Sequence, residues 1–172
     1  MMEFLAVAAI AVIGYLIYAA NNKPSTAELM EFKNKVMKLY EPIPSDCVRL
    51  SEYKSKHFKD YAEGIDLIIR GEFKVTKSEF EKSKNEPEEN LKSYIASLDE
   101  MRVANKNLIK ASIDLMTSCK STIELMSNDE DLTEEDQELL DVLEKQYEGA
   151  AIKVKNLKKE LMDLGVEYTE AQ

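Results

Sequence analysis

Residues 133–165 read TEEDQELLDVLEKQYEGAAIKVKNLKKELMDLG, and this stretch decides the fold. Its apolar side chains recur at alternating spacings of three and four residues over about four heptads, which predicts one face of a long helix. Thr133 with Asp136 forms a capping pattern at the start, while Gly165 and Val166 suit a Schellman motif at the end. The expected seam is Leu140, Leu143, Tyr147, Ala150, Val154, Leu157, Leu161 and Leu164.

A second long apolar pattern precedes this helix, from Pro87 to about Met126. Its apolar positions form two adjacent columns, which is typical of a helix packed against more than one neighbour. Only an acidic turn separates the two helices, so we expect an antiparallel, coiled-coil-like hairpin over residues 87–166. The main column is Leu91, Tyr94, Leu98, Met101, Asn105, Leu108, Ser112, Leu115, Cys119, Thr122 and Met126. The second column is Ile95, Arg102, Ile109, Met116 and Ile123.

Asn105 and Ser112 interrupt the main column with polar side chains. A buried Asn in such a seam commonly fixes the register or the number of partners. The same residues could equally lie at the edge of the hairpin and contact water. The pattern supports both interpretations.

Shorter helices are expected upstream. Ser25 with Glu28 predicts a capping box for a first helix, which Pro42 and Pro44 end. A second helix follows from about Ser45 to Arg70. In the stretch 71–87, the capping pattern of Thr76 with Glu79 favours a short helix over an isolated strand. The expected divisions are an anchor at 1–21, a juxtamembrane helix and Pro linker at 22–44, a short-helix region at 45–86, the hairpin at 87–166 and a tail at 167–172.

The N-terminal segment differs sharply from the rest. Phe4 to Ala20 (FLAVAAIAVIGYLIYAA) has no charge and no Pro, and as a helix it would span about 25 Å, close to the thickness of a bilayer core. We therefore predict a transmembrane anchor over residues 1–21 and an all-α protein of single-pass type. The anchor residues are Phe4, Leu5, Ile10, Ile13, Tyr15, Leu16 and Tyr18.

Three other interpretations of this segment compete with an anchor. A cleaved signal peptide needs a basic start and small residues at −3 and −1; the segment has no basic start, and a cut after Ala20 would put Tyr18 at −3. A type IV pilin-like start would need a short basic leader that ends in Gly, which is absent. A buried core helix would need apolar surroundings, which the polar sequence that follows does not supply. Four lysines follow the segment and none precedes it, which predicts a cytoplasmic C-terminal region. These are Lys23, Lys33, Lys35 and Lys38.

Composition excludes several classes of function. The 172-residue chain has a formal net charge of −10, which disfavours nucleic acid as a partner. Residues 128–172 hold 14 acidic and 5 basic groups, and residues 21–127 hold 18 of each. The excess negative charge therefore belongs to the last helix and its turn. It is either a solvated face or a docking surface for a basic partner.

No constellation of residues predicts catalysis or metal binding. His57 is the only histidine and lies on an apolar helix face, which favours a packing role. Asp129, Asp131 and Thr133 resemble the start of an EF-hand loop, but the required Gly and the final Glu are absent. Cys47 and Cys119 are expected to be free thiols, and they could form a disulfide only if this region lay outside the cytoplasm. We expect no enzyme, no metal and no cofactor.

The expected function is that of a membrane-anchored, acidic, non-catalytic scaffold or adaptor that binds proteins, or a second copy of itself, at the inner face of the membrane. In plan alone, the chain resembles bacterial membrane-tethered adaptors. One alternative is an extracytoplasmic helical rod, whose plan of anchor plus coiled coil resembles that of the inner-membrane spanins of phages. Another is a subunit of a larger membrane complex.

Overall fold

A computed structural model describes residues 22–128 and 132–169. These residues form helices joined by turns and contain no strand, which confirms the prediction of an all-α fold. The long helices start and end within a few residues of the predicted bounds. The helices of the described residues are α1 (Thr26–Tyr40), α2 (Val48–Ile69), α3 (Lys77–Ser83), α4 (Glu86–Ser127) and α5 (Glu134–Asp163).

The predicted anchor over residues 1–21 lies outside the described residues, as do its candidate residues Phe4 to Tyr18. Among the helices of residues 22–128 and 132–169, none has a stretch both long and apolar enough to cross a bilayer.

Three helices begin with the capping boxes that the sequence predicts. Ser25, Thr76 and Thr133 each accept a hydrogen bond from the backbone N–H three residues later. The acidic side chain at that third position, such as Glu28, accepts from the backbone N–H of the cap in return. These reciprocal bonds satisfy N–H groups that a helix start leaves unpaired. The box at Thr76 also settles the ambiguous stretch after residue 71, which ends in the short helix α3.

Helices α2 and α5 end in the same motif. At each end a glycine, Gly71 or Gly165, adopts a φ of 75°, which side-chain-bearing residues rarely adopt. After α5, the N–H of Val166 donates to the carbonyl of Leu161 and the N–H of Gly165 to that of Met162. The pair of bonds is the predicted Schellman motif, and α2 ends with the equivalent pair.

The described chain divides into two compact units. The first unit comprises residues 22–44 and 51–93, and the second comprises residues 45–50, 94–128 and 132–169. Leu29, Ile65 and Phe80 are buried together in the core of the first unit. The rings of Phe32 and Phe80 are nearly perpendicular, with centroids 5.4 Å apart, which is a favourable aromatic geometry.

The core of the second unit lies between α4 and α5. Leu98 and Ile109 of α4 pack in one cluster with Val154, Leu157 and Leu161 of α5. Contacts with later residues of α4 involve earlier residues of α5, as shown by the polar pairs Arg102–Leu164, Asn105–Glu160 and Cys119–Gln146. The two helices of this unit therefore run antiparallel.

The two left-handed glycines give a matched test of the α5 terminus. A Cβ at position 165 would lie 2.9 Å from the Cys47 Cβ, whereas one at position 71 would have no atom within 4 Å. We expect Gly71→Ala to lower the free energy of unfolding by about 1–2 kcal/mol through backbone strain alone. Gly165→Ala should cost roughly 2–4 kcal/mol, because overpacking adds to the strain. Urea unfolding followed by circular dichroism measures both, and equal losses would contradict the close approach at Gly165.

Glu28 predicts a pH dependence of stability. The Ser25 backbone N–H, the Ser25 hydroxyl and Lys77 lower the pKa of Glu28 from 4.5 to about 2. A carboxylate with a lowered pKa stabilises the fold above its unfolded pKa and loses this contribution as the pH falls towards its folded pKa. Glu28→Gln keeps a capping side chain but does not titrate. Between pH 4.5 and 2 the wild type should therefore lose stability more steeply than this variant, and parallel curves of unfolding free energy against pH would refute the assignment.

Candidate interaction site

The predicted seam of α5 coincides with its buried face. Val154, Leu157 and Leu161 are buried in the second unit's core, together with Leu164 at the helix end. The earlier seam residues Leu140, Leu143 and Tyr147 are half-buried. Burial therefore recurs at the predicted spacing along this helix and is deepest in its second half.

The buried face of α4 differs from the predicted main column. Leu98, Ile109, Ser112 and Cys119 are buried, while Arg102, Asn105 and Met116 are half-buried between them. Leu108 and Leu115, which were assigned to the same column, are 43% and 46% exposed. These two residues of the predicted packing or interaction seam do not pack against α5, because the side of α4 that meets α5 is formed by Leu98, Ile109 and Met116.

Leu108 and Leu115 belong to a second apolar stripe on α4, which we call the outer stripe. It consists of Met101, Ala104, Leu108, Ala111 and Leu115. All five are exposed, and they recur at spacings of three and four residues, so they share one side of the helix. Alanines between the leucines leave room for the backbone of another helix to approach closely.

The structure divides the predicted main column of α4 between two sides of the helix: Leu98 and Cys119 are buried, whereas Leu108 and Leu115 are exposed. Two columns indicate two neighbours, because one helix covers only one stripe. Helix α5 is the neighbour that covers the other apolar side of α4, which includes Leu98, Ile109 and Met116, within the second unit. The columns predicted a second neighbour, and the structure shows which residues are left for it.

Charge is unevenly distributed along α5. Residues 134–148 hold seven acidic groups and one basic group, whereas residues 149–163 hold four basic and two acidic groups. Asp136 in the first turn has a lowered pKa, because the hydroxyl and then the backbone N–H of Thr133 donate to it. The first half of the helix is therefore a strongly negative surface, placed where a helix N-terminus best tolerates acids.

Two half-buried polar residues of α4 bond to α5 and its C-terminal end, whereas Ser112 is buried. Asn105 donates its side-chain N–H to the carboxylate of Glu160, at 3.2 Å. Arg102 donates two N–H groups to the carbonyl oxygen of Leu164, at 2.9 and 2.6 Å, and pairs with Asp99 at 2.6 Å. The guanidinium of Arg102 thus caps the C-terminus of α5. Sequence reasoning missed this role, since Arg102 was only an odd charge in an apolar column.

His57 lies in an aromatic cluster of the first unit. Its ring centroid is 4.2 Å from that of Tyr53 and 6.3 Å from that of Tyr40. Tyr40 is fully buried and its hydroxyl donates to the carbonyl of Pro87 at 2.7 Å, and burial raises the pKa of this hydroxyl. Tyr61 accepts a hydrogen bond from Asn90 at 3.0 Å. These contacts fit the packing role expected for His57.

The first unit also contains a cavity of about 370 Å³. Leu29, Phe32, Ile65, Phe73 and Phe80 supply much of its apolar lining. Asp60, Ser83 and Glu86 are among the polar residues at the same cavity. Its size is at the lower end of the range for sites of small molecules.

Both cysteines belong to the second unit and are free. Cys47 lies beside Gly165, and Cys119 is buried with its sulfur 4.0 Å from the side-chain oxygen of Gln146. Positions 146 and 163 of α5 are about 25 Å apart along the helix. The two thiols therefore cannot meet, because a disulfide needs Cα atoms within about 7 Å.

Within residues 22–128 and 132–169 there is no cluster of three or more side chains that could hold a metal ion. Comparisons with models of protein families, with curated proteins and with solved structures found no match to this chain. The site that the structure defines is therefore characterised by its own geometry: an uncovered apolar stripe on α4 and an acidic half of α5.

The cap formed by Arg102 can be tested against a surface pair. Arg102→Met removes two charge-assisted hydrogen bonds to Leu164, and hydrogen bonds of this kind contribute about 1.5–3 kcal/mol. We expect a loss of about 2 kcal/mol in the free energy of unfolding. Arg70→Met is the matched control, because it breaks an exposed ion pair with Glu72 that contributes about 0–1 kcal/mol. Equal effects of the two substitutions in urea unfolding would reject the capping role.

Proposed function

We propose that this protein is a single-pass, membrane-anchored helical scaffold or adaptor that acts through protein–protein contacts at the inner face of the membrane. The proposed role is non-catalytic, because the chain only brings a partner protein to the membrane. Its partner contributes an amphipathic helix, either from another protein or from a second copy of this chain.

The outer stripe of α4 is the observation that carries the proposal. Met101, Leu108 and Leu115 are 37%, 43% and 46% exposed on one side of a helix whose other apolar side is already packed. A row of uncovered apolar side chains on a soluble surface commonly marks a protein–protein contact. An amphipathic helix laid along the stripe would present anchors at the same spacing of three and four residues.

The sequence supports the membrane part of the proposal. Seventeen consecutive residues without charge, Phe4 to Ala20, are long enough to reach across most of a bilayer core. The lysines that follow this stretch favour the cytoplasmic side for the remaining residues. The acidic half of α5 then favours a partner with basic side chains around its apolar face, because such charges steer association and reject like-charged surfaces.

Reporter fusions at Gln172 test the topology. We expect fluorescence from a fused fluorescent protein and no activity from fused alkaline phosphatase, because phosphatase folds only outside the cytoplasm. Carbonate-washed membranes should retain the full chain. Active phosphatase at Gln172, or release of the uncut chain by carbonate, would overturn the topology or the anchor respectively.

Photo-crosslinking tests the contact surface. A photoreactive amino acid at Leu108 or Leu115 in the full chain should give a discrete adduct in native membranes. The same probe at Lys110 is the control, because it is exposed and lies about 200° around the helix from Leu108. An adduct of twice the chain mass identifies a second copy, and any other mass identifies a different protein. No adduct from positions 108 and 115, or equal adducts from position 110, would contradict the proposal.

A further inference from the structure

A basic and aromatic patch lies at the edge of the first unit where the described chain begins. Phe73 is 61% exposed in the turn after α2 and is the most exposed aromatic side chain of the described residues. Lys23, Phe73 and Lys74 line one shallow depression, and both lysines are exposed. We call these residues, together with Lys77, the entry patch.

The turn holds Phe73 in this position. The N–H groups of Glu72 and Phe73 both donate to the carbonyl of Leu67, at 3.0 and 3.2 Å, and the left-handed Gly71 sets the direction of the chain. Val75, two residues later, packs against the core of the first unit. The exposure of Phe73 is therefore a consequence of a fixed backbone, with anchored residues on both sides.

The same patch is tied to the start of the described chain. The N–H of Lys77 donates to the carbonyl of Asn22 at 2.7 Å. Ala20, the last apolar residue of the N-terminal stretch, precedes Asn22 by two residues, and two residues of chain reach at most about 7 Å. If the stretch spans a bilayer, Asn22 and the patch around it must lie at the level of the lipid headgroups.

The charges of the patch suit an anionic lipid surface. Lys77 pairs with Glu28 at 3.3 Å, and Arg70 pairs with Glu72 at 3.1 Å. Within the described part of the chain, Lys23 and Lys74 have no acidic partner. Lysines near a membrane surface are attracted by anionic headgroups, and an exposed Phe side chain favours the boundary between headgroups and acyl chains.

We propose that the entry patch contacts the bilayer directly, with Phe73 in the interfacial region and Lys23 and Lys74 on anionic headgroups. The inference rests on the proposed membrane anchor and adds a second point of attachment. A single point of attachment leaves the first unit free to rotate. A ring held at the interface beside Lys23 restricts the orientation of this unit.

The absence of Trp from the sequence makes the contact directly measurable. Phe73→Trp in the full chain gives a single reporter, reconstituted in vesicles of phosphatidylcholine with and without phosphatidylglycerol. Ile43→Trp is the matched control, because Ile43 is also in the first unit, is 52% exposed and lies beyond the opposite end of α1. Phosphatidylcholine brominated on its acyl chains quenches only rings that enter the bilayer.

We expect bromolipids to quench the Trp at position 73 about twofold, with emission shifted to shorter wavelength, and to leave the Trp at position 43 nearly unquenched. In the Phe73→Trp background, Lys23→Gln with Lys74→Gln should reduce the quenching in vesicles that contain phosphatidylglycerol. Circular dichroism verifies that each variant keeps its helices.

The outcomes separate this inference from the proposed function. A full chain that does not float with the vesicles refutes the anchor itself. A chain that floats with an unquenched Trp at position 73 leaves the anchor standing and refutes the patch. Blue-shifted emission of the Trp at position 73 without quenching by bromolipid would mean that protein, and not lipid, covers this position. Equal quenching at positions 73 and 43 would mean that the lipid contact is not specific to the entry patch. Either result overturns the inference.

Discussion

The pairing of α4 with α5 is the contact on which the second unit depends, and it can cover only one side of α4. Apolar side chains on this helix occupy two adjacent stripes, and helix packing buries one stripe for each neighbour. Ile109 lies in the covered stripe and is fully buried, whereas Leu108, the preceding residue, is exposed. Because adjacent residues point about 100° apart around a helix, the choice of one stripe exposes the other.

This constraint connects the fold with the proposed function. An exposed apolar stripe is unfavourable in water, so α4 gains stability when a second helix covers it. The outer stripe is therefore a source of binding energy for a partner helix. A membrane tether would favour that contact further, since confinement raises the effective concentration of a partner on the same membrane. The acidic half of α5 would restrict which partners approach, through attraction of basic surfaces and repulsion of acidic ones.

The sequence predicted the features that arise from local chemistry. The capping boxes at Ser25, Thr76 and Thr133 could be predicted from the sequence, because each involves two residues only three positions apart. The Schellman end at Gly165 was readable for the same reason. Periodicity predicted more apolar positions on α4 than one neighbour covers, but it placed Leu98 and Leu108 in the same column although only Leu98 is buried, because burial depends on contacts between helices. The role of Arg102 was hidden too, since its acceptor at Leu164 lies 62 positions away.

The central claim is that a partner helix covers the outer stripe, and the most direct test is the accessibility of this stripe in native membrane preparations. Cys47 and Cys119 are replaced by Ala, and a single Cys at Leu108 is compared with one at Lys110 for the rate of labelling by a maleimide. In the purified, detergent-solubilised chain both positions should react rapidly. In native membranes the Cys at position 108 should react much more slowly, while the Cys at position 110 keeps its rate. Equal labelling of the two positions in both preparations would show that nothing covers the outer stripe, and would contradict the account.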